Sequence, residues 1–476
     1  MTQTFHFVNG ACADRKERKE LRRHVMIGKN AGRTIHRPSR IKAFQQKSLE
    51  LRDENVASIC TKRDFERDSM NSGKVGKVPQ WRLSEVKSVA FPVELTPQYA
   101  EIVATFLEFI ADGMYPSHIG VSVEDAKRTW LQVMTADSST FYCNIALMQA
   151  CNALFKDEGH DSVISTTFLA RSTAHVRRKI ESQDALSCST VAMVLSLVTQ
   201  EQFRNEHKAA RIHLDGLIRM IHLRGGLDTL AETVQVLLKV CKTDILFALE
   251  YGNTPVFYRD RMPQIRLMYT LDYTACDMNR NILNSRNHID EAILYILVDI
   301  FDLCMLFNDP HGQHFRMDLY SYQEVIISIS YRLLALDYIY QHPTVPTTEI
   351  TYQLGSIVFM MILFLQYGRR RLHRFTRITQ LLRGVIELHF THYDKDQMLW
   401  LMITGGIWMM DGVWTLDKRS GDWLPPLILE LAQDLGVQTW EEARSRIIKY
   451  PWIYKLQDEP GKKIWDRVHG GSVVSW

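Results

Sequence analysis

The sequence predicts an all-α fold, one large multi-helical domain behind a basic, mostly disordered N-terminal segment. Three observations predict it. Apolar residues recur at steps of three and four through several long segments. Helix start and stop residues bracket those segments. Period-two runs are few, and no hairpin dipeptide sits between alternating apolar residues.

The elements follow in chain order. Phe5 to Val8 is a short extended-looking piece. Residues 14–30 can form a helix with Asp14 as N-cap, but only Leu21 and Val25 give it an apolar stripe. Such a helix is marginal alone and is ordered by a partner; Gly32 and Pro38 end it. Residues 43–80 mix charge with Ser, Gly and Lys and show no sustained apolar period, so they read as linker. Order begins at Thr96-Pro97, an N-cap followed by proline at the first helical position, with Tyr99, Ile102, Val103, Phe106, Leu107 and Ile110 on one face. Residues 141–155 carry Phe141, Ile145, Met148, Cys151 and Phe155 on a face, and residues 190–203 form the next helix.

The clearest helix spans residues 208–224. Ala210, Leu214, Leu217 and Ile221 point inward, while Lys208, Arg211, Asp215, Arg219 and His222 lie opposite. Gly226 is expected at the left-handed C′ position, with Leu227 folding back on Ile221. Residues 289–306 are expected to form a helix with Ala292, Ile293, Ile296, Leu297 and Ile300 inward. Thr439 and Glu442 make a capping box for a helix through Ile448, stopped by Pro451. The expected divisions are a basic segment 1–42, a linker 43–94, a helical domain 95–455 and a tail 456–476. No internal repeat has a fixed period.

A chain of 476 residues with 46% hydrophobic and 23% charged residues can bury a large core as an ordinary globular protein. Its charge is uneven. Residues 15–42 hold eleven Lys and Arg against Glu17 and Glu20, a local +9. Asp14 gives residues 1–14 a charge of −1, which leaves −5 for residues 43–476 out of the chain's +3. A basic head on a mildly acidic body indicates a polyanion partner for the head. Arg15, Lys16, Arg18, Lys19, Arg22 and Arg23, followed by Lys29, Arg33, Arg37 and Arg40, are the candidates for nucleic-acid contact or nuclear import. The first six recur on nearly every face of a short helix, so a docked protein surface would not satisfy them. The alternative is a merely solvated tail. Pro38 rules out a leucine zipper after it.

The eight cysteines are scattered, and no apolar signal segment opens the chain, so free thiols in a reducing compartment are expected. Two apolar stretches, 357–365 and 398–414, fall short of the ~20 residues a membrane span needs and read as core helices. Gly73 to Lys77 lacks the spacing of a phosphate-binding loop, and no G-x-S-x-G or H-E-x-x-H occurs. His311 with His314, and His389 with His392, lack a neighbouring cysteine pair, which argues against a metal. Trp400, Trp408 and Trp414 with Met398, Met402, Met409 and Met410 are either plain core, the commoner use, or the lining of a small-molecule pocket. No cofactor is implied.

Three patches resemble the helical regulatory region of fungal-specific transcription factors. One is residues 130–154, a tryptophan followed by a small-residue helix. The second runs from Ser189 to Arg224-Gly225-Gly226-Leu227. The third runs from Trp400 through Thr439-Trp440-Glu441-Glu442 to Tyr450-Pro451-Trp452-Ile453. The head, with its aromatic-Val-Asn opening and Arg23-His24-Val25-Met26, resembles a subset of the same family. Cys12 and Cys60 are the only cysteines before Cys143, so these residues lack the family's six-cysteine binuclear zinc cluster. The resemblance implies a nuclear regulator of metabolic or biosynthetic genes and not an enzyme. Its partners would be DNA, directly or through another protein, together with the transcription machinery or co-regulators; a homodimer is compatible, and no membrane is expected. Two other classes stay open: a helical scaffold that does not touch DNA, and an enzyme binding an isoprenoid-like ligand. The D-D-x-x-D cluster of helical isoprenoid enzymes is absent.

Overall fold

A computed structural model describes residues 86, 89–111, 115, 119–155, 163–269, 289–309, 317–339, 348–364, 375–389, 394–410 and 423–469. They belong to the second of two units into which the chain divides, Val78–Trp476. The expected basic helix at 14–30 and the linker at 43–80 lie outside the described residues.

The described chain is helical throughout, as the periodicity predicts. Its first helix, α1 (Pro97–Thr105), has Thr96 as N-cap, whose Oγ1 accepts from the Tyr99 amide at 3.3 Å, and Pro97 in its first turn. A π turn over Phe106–Ile110 continues it. Then come α2 (Glu124–Met134), α3 (Ser138–Phe155), α4 (Val163–Ile180), α5 (Cys188–Phe203) and α6 (His207–Arg224). A 3-10 turn (Leu227–Leu230) leads to α7 (Val234–Tyr251) and α8 (Met262–Tyr269). Next are α9 (Glu291–Asn308), α10 (Leu319–Leu334), α11 (Thr348–Phe364), α12 (Thr376–His389) and α13 (Lys395–Met410). The series closes with α14 (Leu424–Asp434), α15 (Trp440–Ile447) and α16 (Tyr454–His469). The strands among the described residues are a two-residue parallel pair, Val121 beside Met317 and Ser122 beside Asp318.

The α5–α6 hairpin shows how local chemistry fixes packing. Ser187 caps α5 by accepting from the Thr190 amide at 3.2 Å, and Asn205 turns the chain in a left-handed conformation. At the far end the Gly226 amide bonds the Ile221 carbonyl and the Gly225 amide bonds that of His222, a Schellman close. The left-handed C′ residue is therefore Gly225, one position before the Gly226 expected from sequence. Gly226 also has φ +105, with ψ −177, a region essentially reserved for glycine. Arg224 then reaches back to the Leu186 carbonyl and, at 3.2 Å, to Cys188 Sγ at the start of α5. The Arg-Gly-Gly-Leu ending is a mechanical clasp. Gly226→Val is expected to lower stability by about 1–3 kcal/mol; an unchanged thermal unfolding midpoint would contradict this.

Two hydrophobic clusters make the body. The smaller gathers α1, the end of α2 and one side of α3, with Phe168 and Phe203, around Phe141, with Tyr99 edge-on at 5.7 Å. Val86 is fully buried there, and Phe91 packs on Phe141 at 5.4 Å. The core thus begins inside the segment 43–94 read as linker. The larger cluster runs from Ile119 and α2 through α16. It includes the two stretches that look membrane-like in sequence. The described parts of both lie on α11 and α13, and among the described residues no helix is long and apolar enough to cross a membrane. Gly355 on α11 permits their close approach, because a Cβ there would overlap the Trp400 ring. Trp400 stacks on Tyr450 at 5.5 Å and donates to the Pro451 carbonyl at 3.0 Å.

The C-terminal boundary also moves. Residues 456–469, expected as tail, belong to α16, which buries Gln457, Gly461, Ile464 and Trp465. Thr439 and Glu442 form the expected capping box of α15.

Candidate functional site

The cations assigned to nucleic-acid contact or import, Arg15, Lys16, Arg18, Lys19, Arg22, Arg23, Lys29, Arg33, Arg37 and Arg40, all lie outside the described residues. So do His311, His314, His392, Trp414 and the glycine-lysine stretch at 73–77. Among the described residues, no cluster of three or more His, Cys, Asp or Glu is placed to hold a metal ion.

The tryptophan-methionine cluster is core and not pocket. Trp400, Met402 and Trp408 are fully buried in the packing of α13 against its neighbours. Among the described residues, a cavity that can take a ligand lies elsewhere, along the seam between the two hydrophobic clusters. It measures about 120 Å³ and is partly enclosed. Five helices and the π turn wall it: α2 gives Trp130, α3 gives Leu147 and Met148, α5 gives Met193 and Gln202, α7 gives Val236 and Leu246, and α10 gives Gln323. Counting roughly 10–15 Å³ for each water centre, it has room for about ten waters or a ligand of about ten non-hydrogen atoms.

Two lysines enter this largely apolar space from α7. Lys239 and Lys242 are three residues apart, which puts them on one face of the helix. Lys242 is 8% exposed, and burial, reinforced by the charge of Lys239, lowers its ammonium pKa to about 7. Lys239 is an exposed residue that also lines the cavity; desolvation lowers its pKa against an opposing effect of Cys151. No Asp or Glu is among the residues lining the cavity.

Most neutral polar groups on the wall are engaged with helix backbone. Asn144 Nδ2 donates to Thr140 O at 2.8 Å, Thr199 Oγ1 to Leu195 O at 3.1 Å, and Thr243 Oγ1 to Lys239 O at 2.8 Å. Ser196 Oγ donates to Cys143 O at 3.3 Å. Gln202 Nε2 is buried with no partner among the described residues, and the Thr140 hydroxyl lies beside the Asp137 carboxylate. Burial pushes the thiols of Cys143 and Cys151 up to about 11 and about 12, so neither is a thiolate nucleophile near neutral pH.

Other buried charges have structural employment. On α9, Asp299 takes both Arg266 from α8 and Arg332 from α10. Asp244 accepts the amides of Val256 and Phe257 at 3.0 and 2.9 Å and the Tyr331 hydroxyl at 3.0 Å, pinning the segment after α7. These groups close on one another and leave nothing turned toward a ligand.

Sequence reading missed the cavity because it missed α7. That helix is apolar on almost every side, so it lacks the one-sided stripe that marks an amphipathic helix. The legible signal was the pair of lysines at i and i+3 inside an otherwise apolar run. Comparison with known protein families, with characterised proteins and with solved structures finds no match.

Proposed function

We propose that this chain is a nuclear transcription regulator, controlling metabolic or biosynthetic genes through its helical body and reaching DNA through its basic head. The observation that carries the reading is charge segregation: +9 in residues 15–42 against −5 in residues 43–476. A polyanion such as nucleic acid is the partner that such a head suits, since each phosphate neutralised releases condensed counterion. The body's described ion pairs include buried ones, as at Asp299, pairs along one helix, such as Arg211 with Asp215, and exposed pairs between helices, such as Lys395 with Asp434. A large helical body of this kind suits recruitment of transcription machinery or co-regulators, with a homodimer compatible.

A second reading has one observation in its favour. With only Cys12 and Cys60 before Cys143, these residues carry no binuclear zinc cluster, which favours a scaffold or co-regulator that reaches DNA through a partner.

One variant tests both. Changing Arg15, Lys16, Arg18, Lys19, Arg22 and Arg23 together to Ala should flatten the dependence of log affinity on log salt by up to about five. It should weaken binding to all DNA sequences alike and impair nuclear accumulation. A variant that enters the nucleus normally, from a parent that does not bind DNA, would leave neither reading of the head standing. Lost import with no DNA binding by the parent would select the scaffold.

A further inference from the structure

We infer that the cavity between α2, α3, α5, α7 and α10 is a binding site for a small amphipathic carboxylate, its acid group on Lys239 and its apolar body against Trp130 and Leu246. The argument is one of unmatched donors. Among the described residues the Lys239 ammonium has no hydrogen-bond or ion-pair partner. Gln202, 3% exposed, lines the same space with an amide nitrogen that has no partner among the described residues.

A buried amide donor left without an acceptor, beside a lysine with no counter-charge, is a fault in a fold unless something supplies acceptors. Water is a poor candidate to fill the whole space. Each ordered water needs two to four polar partners, and the wall's other polar groups are mostly engaged with backbone, as Asn144, Thr199 and Thr243 show. A ligand that brings acceptors at one end and hydrocarbon along the rest satisfies both parts of the wall.

The charge and the size narrow the class. With no carboxylate on the lining, an anion meets no repulsion, and a second lysine stands one turn along α7. An inorganic or nucleotide phosphate would leave the apolar wall unmatched and would itself need several cations and water. A monocarboxylate of about ten non-hydrogen atoms fills the available room. The seam position adds a consequence: the occupant touches both hydrophobic clusters, so binding should stiffen the body as a whole.

Octanoate, octan-1-ol and octylamine, titrated calorimetrically into the full chain, test the site. Octanoate should bind at least tenfold more tightly than octan-1-ol, with octylamine weakest, and should raise the thermal unfolding midpoint. Lys239→Met should abolish the tenfold preference while leaving octan-1-ol binding in place, and Lys239→Arg should restore it. Gln202→Leu should weaken octanoate several-fold. If octan-1-ol binds the parent as tightly as octanoate, if octanoate fails to bind at millimolar concentration, or if Lys239→Met keeps the preference, the inference is wrong. Should Lys239→Met not fold, the three-probe comparison on the parent decides alone. The regulator and scaffold readings are unaffected by either result, since neither specifies an occupant.

Discussion

Trp400→Ala should lower the free energy of unfolding by about 3–5 kcal/mol, among the largest effects of any single side chain in this body. The indole is fully buried. Removing it takes away its ring contact with Tyr450, leaves the Pro451 carbonyl without its 3.0 Å donor, and opens a void beside Gly355 that rigid helices cannot close. Urea unfolding followed by far-ultraviolet circular dichroism measures it as a fall in the midpoint. Gly355→Ala should also destabilise, by the opposite fault, because its added carbon overlaps the same ring. Revertant behaviour of the double variant Gly355→Ala, Trp400→Ala distinguishes this geometry from general core damage: the overlap vanishes with the ring, so the two losses should not add. Additive losses would show that the two helices do not meet through this pair.

How far sequence carries is visible element by element. Helices with one polar face announce themselves: α6 alternates Leu214, Leu217 and Ile221 with exposed charge and ends in glycine, and the structure moves only its cap, from Gly226 to Gly225. The capping residues Thr96 and Thr439 act as their chemistry requires. Helices buried on all sides do not announce themselves. Among these, α7 and α10 lack a polar stripe because packing surrounds them, and their type follows from neighbours that sequence does not place. The expected tail is helical, and α16 continues through Pro460 and Gly461. A Cβ at Gly461 would come within 2.7 Å of the Trp440 ring, so the glycine serves packing and not a turn.

The candidate site depends on the same limit. Its lysines stand next to each other on one helix and were open to notice. Its other polar groups come from α3 and α5, and only the folded chain shows that Thr140 and Gln202 share a cavity with Lys239. Conversely, the tryptophan-methionine cluster looked like a pocket because large apolar side chains serve cores and ligand sites equally well. Room tells the two apart: Trp400, Met402 and Trp408 are fully buried, whereas the seam leaves about 120 Å³ beside two lysines.

Lys242→Met should stabilise the unliganded chain by a few kcal/mol at pH 6 and by almost nothing above pH ~10.5. In the unfolded chain this lysine titrates at its ordinary value of 10.5; folding lowers it to about 7, through burial first and the charge of Lys239 second. Between those values the unfolded state holds a proton that the folded state has released, so this group makes stability rise with pH across the window. Below pH 7 the folded chain carries the buried charge and the whole penalty is present. The shift corresponds to an upper bound of roughly 5 kcal/mol, at 1.36 kcal/mol per pH unit, and Met keeps the length and packing of the side chain. The groups facing Lys242 within the cavity are Lys239 on its own helix, Cys143 and Cys151 on α3, and Tyr115. Burial raises the last three and so moves them away from the window, while Lys239 is shared by parent and variant. The difference in unfolding free energy between parent and variant, measured from pH 6 to 10.5, therefore isolates Lys242. A gain that is the same at both ends would assign the effect to packing and would mean that the charge is not held in a dry wall. A gain that fades with pH identifies a residue kept at a cost to the empty fold, beside a Gln202 amide that no described residue satisfies, as a ligand site requires.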